Sequence, residues 1–163
     1  CQVLQERITR LGSSIAIIKV GASSEVELIE KRHRVEDALE AVRSAQKDGI
    51  HCGGGMALIK AYKAISVPKD LDEGERMGFK AVHESLKAPM NQMANNAGLS
   101  PELIFEKAKR LKGDNGINMA TGETVNMIEA GIIDPVRVTC SAIRNAISVS
   151  STLITTNHAI VEK

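Results

Sequence analysis

The sequence predicts a mainly α-helical protein with one or two strands. Three observations carry this reading. Apolar residues recur at helical spacing through most of the 163 residues. Helix start and stop signals (Gly49, Ser100-Pro101, Asp134-Pro135) punctuate those stretches. Only one run, SIAIIKVGA over 14–22, reads as a strand, and only one segment, GDNGINMATGE over 113–123, reads as a hairpin.

The elements follow in order. Val3/Leu4, Ile8 and Leu11 have helical spacing, and Gly12 with two serines ends the pattern. The run over 14–22 is β-branched and almost continuously apolar, which is the pattern of a strand buried on both faces. A lone strand cannot satisfy its own edges, and its partners are not evident in the chain. From about Ser24 to Lys47 a long amphipathic helix is expected. Leu28, Val35, Leu39 and Val42 would line one face and Gly49 would stop it. Gly53-Gly54-Gly55 then opens a helix, and Ser66-Val67-Pro68 marks a loop.

Asp72 to Leu86 is expected to be helical, followed by a short helix opened by Pro89 and ending near Gly98. Ser100 is placed as the cap of the next helix, with Pro101 in its first turn and Glu102 at the positive end of the dipole. After the hairpin, a short helix is expected around Val125 to Glu129, stopping at Gly131. Asp134-Pro135 opens the last helix. Val136, Cys140, Ile143 and Ile147 form one apolar face of it, and Val138, Ala142, Val149 and Leu153 form another. A helix apolar on two faces is expected to be central and close-packed.

Composition excludes several classes. Lys and Arg number 21 against 20 Asp and Glu, so no global charge attracts nucleic acid or an anionic membrane surface. With one Tyr, two Phe and no Trp, stacking on bases is a poor basis for recognition. Three dispersed cysteines (Cys1, Cys52, Cys140) form neither a disulfide framework nor a zinc pair, which fits a reducing compartment. No run of 18 apolar residues is present, so no membrane span is expected. The chain begins at a cysteine with a charged start unlike a signal peptide, and reads as excised from something longer.

Several residues are candidates for chemistry. Asp37 lies on the opposite side of its helix from the apolar centre set by Val35 and Leu39. It is either a solvated charge near Arg34 and His33 or a carboxylate that points into a cleft to orient water. Spacing alone does not choose it over Glu36 or Glu40. The triple glycine either brings backbone close to a ligand or packs tightly at a helix start. Met56-Ala57 follow it where a phosphate loop would need Lys-Ser/Thr, so it is not such a loop. Asp134 is an N-cap by default or a partner for a ribose hydroxyl. Asn118 in a turn more often bonds its own backbone than a ligand. The four histidines have no metal spacing, Cys52 reads as a small buried thiol, and the six methionines read as core filling.

Taken together, LQERITRLGSSIAIIKVGASSEVE, RVEDALEAVRSAQKDGI, CGGGMALIKA, NMATGETVNMIEAGIIDP and VTCSAIRNAISVSSTLITT closely resemble group I chaperonins, the GroEL class. The resemblance runs over nearly the whole chain, in order. It implies that residues 1–14 end the apical domain, 15–50 are an intermediate-domain segment with a long helix, and 51–163 are the C-terminal half of an equatorial-type helical bundle. It also implies an ATP-dependent folding chaperone of the stress-response kind. Such a subunit hydrolyses ATP with Mg2+, whose ligand is expected outside this chain, and encapsulates unfolded polypeptides. The partners implied are a co-chaperonin lid and identical subunits in heptameric rings, single or stacked in pairs. The place implied is the cytoplasm, or alternatively a mitochondrial matrix or other organelle.

By the resemblance Asp37 is the catalytic aspartate, orienting the water that attacks the γ-phosphate. Gly53 and Gly54 lie against the nucleotide, Asn118, Met119 and Ala120 lie beside the adenine, and Asp134 binds the ribose. Two departures stand out. Met119 takes the place of a usually small residue, and His51-Cys52 replaces a more apolar pair. Half a nucleotide pocket is expected to leave the isolated chain inactive. The alternative is a non-enzymatic, truncated chaperonin-like interaction module.

Overall fold

A computed structural model describes residues 16–160, with Leu4, Arg7 and Gly12 before them. The described residues are mainly helical, as expected. They contain α1 (Glu25–Asp48), β1 (Ile50–Cys52), α2 (Met56–Ala64), α3 (Glu73–Ser85), α4 (Ala88–Asn96), α5 (Pro101–Arg110), β2 (Asn115–Asn118), β3 (Glu123–Asn126), β4 (Ile133–Pro135) and α6 (Val136–Ile154). The chain divides into two units, Cys1–Leu39 and Glu40–Lys163. The helix expected over 3–11 lies outside the described residues, apart from Leu4 and Arg7.

In the first unit, the strand expected over 14–22 is not found. Residues 16–22 run without regular structure, and Ile17 is 80% exposed. No described strand pairs with them, and an extended run without a partner leaves its backbone groups to water. Ala16, Ile18 and Val20 instead line a groove with Leu28, Val35 and Leu39 of α1. Helix α1 begins within a residue of its expected start, and the Gly49 N–H closes its last turn on the Ala45 carbonyl at 2.9 Å. Its outer surface is held by spaced ion pairs, Lys31–Glu27, Arg32–Glu36 and Arg34–Glu30.

The second unit holds the buried core. Met56 and Ile59 of α2, Met90 and Ala94 of α4, and Ile104 and Ala108 of α5 meet Cys52, Ile117 and Met127. Each helical pair is spaced to put both side chains on one face, so three short helices close on one centre. Asp72 caps α3 through a full capping box: its carboxylate accepts the Glu75 N–H at 2.7 Å, and Glu75 accepts the Asp72 N–H at 3.2 Å. Ser100 holds the N-cap position of α5, as expected, but its side chain bonds no N–H of the first turn; its hydroxyl donates to Glu102 at 3.1 Å instead. Pro101 removes one of the N–H groups that would need a cap.

The expected hairpin is present as antiparallel β2 and β3, with Gly116 opposite Val125 and Ile117 opposite Thr124. The short helix expected around Val125 to Glu129 is not. Thr124 and Val125 are spent on the ladder, and the Asn126 side chain accepts the Ile128 N–H at 3.2 Å to start a turn. That turn ends at Gly131, where the helix was expected to stop.

Helix α6 occupies the expected span, but no residue in it is buried. One face borders a cavity, while Val149, Leu153 and Ile154 lie open. Its two apolar faces therefore do not make it the close-packed centre of the described residues. Nor is Asp134 its N-cap: Pro135 holds that position, and Asp134 belongs to β4.

Candidate nucleotide-binding site

The site grows from a three-residue strand pair. Strand β1 runs antiparallel to β4, with Ile50 opposite Pro135, His51 opposite Asp134 and Cys52 opposite Ile133. The pairing continues at both ends: the Gly53 N–H donates to the Ile132 carbonyl at 2.9 Å, and the Val136 N–H donates to the Gly49 carbonyl at 3.1 Å. Pro135 sits at the end of its strand, where a missing N–H is tolerated. This ladder brings the triple glycine against Asp134, across more than eighty residues of sequence.

Each glycine has a steric reason to be there. A Cβ on Gly53 would stand 3.1 Å from the Ile132 carbonyl carbon and 3.2 Å from Asp134 Oδ2. Gly54 and Gly55 have φ of +60° and +75°, a left-handed conformation that L side chains rarely adopt. Added side chains there would also meet the Met127 methyl at 3.2 Å and the Met93 methyl at 3.1 Å. Tight packing thus accounts for the three glycines. The same packing lays the Asp134 carboxylate directly beside backbone that carries no side chain. Helix α2 starts at this point with no acidic residue in its first turn, so its positive end is not neutralised from within.

His51, Gly54, Gly55 and Asp134 lie at the border of a cavity of about 640 Å3. The remaining wall is largely apolar, including Leu58, Met93, Val138, Ala142 and Ile147. This size and this mixture of apolar wall with few polar groups are those of small-molecule sites. His51 is fully engaged: Nδ1–H donates to the Cys52 carbonyl at 2.9 Å, and Nε2 accepts from the Thr139 hydroxyl at 2.9 Å. Among the described residues no group of three His, Cys, Asp or Glu side chains gathers to hold a metal ion.

The other candidates are placed differently. Asn118, Met119 and Ala120 do not line the cavity. They begin the β2–β3 turn, where Asn118 Oδ1 accepts the Ala120 N–H at 3.0 Å and the Asn118 carbonyl accepts the Gly122 N–H at 2.8 Å. Asn118 thus bonds its own backbone. Its peptide link to Ile117 still lies near the glycine turn, the Ile117 oxygen being 3.9 Å from the position of a Cβ on Gly54. Met119 packs partly buried against the core. Asp37 belongs to the first unit, exposed on α1. Its neighbours Arg34 and Arg32 are paired with Glu30 and Glu36, and Asp37 makes no ion pair among the described residues.

Sequence reasoning missed two groupings. One is the His51–Thr139 bond, between residues 88 apart. The other surrounds Cys52, which is buried as expected but receives the Lys60 ammonium at 3.2 Å, with Asp114 Oδ1 at 3.6 Å. The His51–Thr139 and Cys52–Asp114 contacts leave no local signal in the sequence, because they join segments 88 and 62 residues apart.

A model of the TCP-1/cpn60 chaperonin family matches residues 4–163, and the chain belongs to that family. Two solved structures are similar to it. One is an open-state monomer of a group II chaperonin from Methanococcoides burtonii, with a TM-score of 0.66 and 28% identity over 82% of this chain. The other is a group III chaperonin in the open state, with a TM-score of 0.75 and 29% identity over 86% of this chain. The alignments cover 35% and 30% of those proteins, so the chain spans about a third of their length. The family is thereby shown; both of these structures are of groups other than the group I class that the motifs resemble.

Proposed function

We propose that this chain is part of a group I chaperonin subunit and carries one side of its ATP site. One observation carries the reading: the Asp134 carboxylate, 3.2 Å from where a Gly53 side chain would begin, beside backbone bare of side chains. A sugar edge can approach such backbone closely, and a carboxylate there accepts hydrogen bonds from its hydroxyls. The N-terminus of α2, with no acidic residue in its own first turn, favours negative charge in the same neighbourhood. In this reading residues 1–14 are apical, 15–50 intermediate and 51–163 equatorial, and Asn118, Met119 and Ala120, which lie outside the cavity wall, border the base.

Asp37 is the catalytic carboxylate of this proposal. Its neighbouring arginines are satisfied by glutamates, which leaves its oxygens for water. Phosphoryl transfer needs positioning and charge neutralisation more than covalent chemistry, so a water-orienting carboxylate on a long helix suits a gated hydrolysis. Mg2+ would neutralise phosphate charge when bound, and the described residues offer no cluster to hold it. The whole subunit would fold unfolded polypeptides inside a ring of identical subunits closed by a co-chaperonin, in the cytoplasm or in an organelle.

The test is made in the subunit that contains this chain. Asp37→Ala is expected to keep ATP binding and lose turnover by at least about a hundredfold. Turnover at the parental rate would remove Asp37 from the mechanism. The isolated chain is expected to show no ATPase, and tight ATP binding to it by calorimetry would contradict the division of the pocket. A second reading, a non-enzymatic interaction module, draws on the open apolar residues Val149, Leu153 and Ile154. A native gene product about three times the length of this chain favours the first reading, and one ending at this length favours the second.

A further inference from the structure

We infer that His51 is a positioning residue for Asp134, locking the strand-to-helix corner on which that carboxylate stands. The inference rests on the ribose-binding reading of Asp134. Asp134 is held by a ladder of three residue pairs, extended by one backbone bond at each end, and the residues after Pro135 turn at once into α6. His51 is the direct cross-strand neighbour of Asp134, and both border the cavity. Its ring spans the corner. Nδ1–H is tied to the backbone of its own strand at the Cys52 carbonyl, and Nε2 is tied to Thr139 in the first turns of α6. Six residues, Asp134 to Thr139, are thereby closed into a loop whose two ends are both fastened to β1.

A ladder this short, even with a bond beyond each end, frays easily, and a hydrogen-bonding group must be held within about 0.5 Å to discriminate ligands. The apolar side chain that the resemblance would put at this position can pack against the corner but cannot bond to Thr139. His51 therefore supplies a restraint that an apolar side chain at this position could not, acting through Asp134 without itself contacting the sugar.

The experiment compares ATP with 2′-deoxy- and 3′-deoxy-ATP on the intact subunit, reading the ratio of dissociation constants. If Asp134 bonds a ribose hydroxyl, the parent prefers ATP over the matching deoxy analogue by about tenfold or more. His51→Ala should reduce that preference to about threefold or less, a loss of roughly 0.7 kcal/mol or more of discrimination. His51→Gln reaches Thr139 with an oxygen that accepts the same bond and should restore it, whereas His51→Asn is too short and should not. Thr139→Val removes the same bond from the other end while keeping the shape of the side chain, so a failure of His51→Ala to fold does not end the test.

A general loosening of the fold would weaken ATP and its analogues alike and leave the ratio unchanged. An unchanged ratio in both His51→Ala and Thr139→Val overturns the role of His51 alone. A parent with no preference for ATP over either analogue overturns the ribose-binding reading of Asp134 itself.

Discussion

Two glycines show how a missing side chain sets geometry. Gly116 faces the core: a Cβ there would stand 2.5 Å from Met127 Cγ and 2.8 Å from Met56 Cγ, both fully buried side chains. These are mid-chain atoms that cannot swing aside without displacing packed neighbours. Gly116→Ala is expected to cost about 1–3 kcal/mol, read as a lower urea midpoint with unchanged slope. Gly53 is different, because the atom facing it is partly the Asp134 carboxylate. The first effect of Gly53→Ala should be to displace that group, so nucleotide affinity in the intact subunit should fall more than stability does. Equal loss of both would mean that the Ile132 backbone, also 3.1 Å away, gives first. The sequence marks the triple glycine as special but leaves open whether ligand or packing needs it. The coordinates supply a packing reason for each, and the Asp134 contact is the part that no local pattern reveals.

At the scale of elements, most helices and the β2–β3 hairpin were legible, whereas β1 and β4 were not, for a physical reason. The capping box of α3 and the stop at Gly49 are local bonds between residues at most four apart, so their chemistry is written in consecutive letters. Asp72→Ala should remove such a bond at a cost of about 0.5–2 kcal/mol by urea melting. Strands β1 and β4 are three residues long and exist only because they meet each other. The run over 14–22 has the composition of a strand and finds no described partner.

A cluster joining α2, α3 and α5 offers a test by pH. Tyr62 stacks on His83 and meets Phe105 edge-on, donates to Glu84 at 3.1 Å, and lies near Lys87, which pairs with Glu84. Hydrogen bonds from Lys87 and Tyr62 hold the Glu84 carboxyl below its ordinary value of 4.5. A lowered carboxyl adds stability above that value and loses it as pH falls through the lowered one. The bond to Glu84 holds Lys87 above 10.5, and desolvation, then the bond to Glu84, hold Tyr62 above 10.0. Their contributions are present below those values and fade as pH rises through the raised ones. Glu84→Gln should therefore lower the urea midpoint near neutrality, and the gap from the parent should close on acidification. A gap that stays constant into acid would show that Glu84 acts through shape and not through charge.

At the scale of the chain, the eleven apolar side chains that are buried among the described residues all lie in the second unit, so protection is expected to be uneven. Sequence patterning was a good guide to where helices form and a poor one to which of them is central. Helix α6 has the stronger apolar pattern and is 19 residues long, yet none of its residues is buried; α2 is 9 residues long and buries Met56, Leu58 and Ile59. Apolar content shows what a face would bury, whereas burial depends on what meets it. Amide hydrogen exchange on this chain separates the two. Length and propensity alone would make α6 the slower to exchange, since isolated short helices are marginal in water. Tertiary burial makes the opposite demand. The slowest amides should lie in α2, α4, α5 and the β2–β3 hairpin, α6 should exchange faster than α2, and residues 16–22 should exchange at nearly unprotected rates. If α6 outlasted α2 in dilute solution, a second surface would have to cover it there. Slowing of α6 that appears only as protein concentration rises would identify that surface as another copy of the chain, because only association with itself responds to concentration in this way.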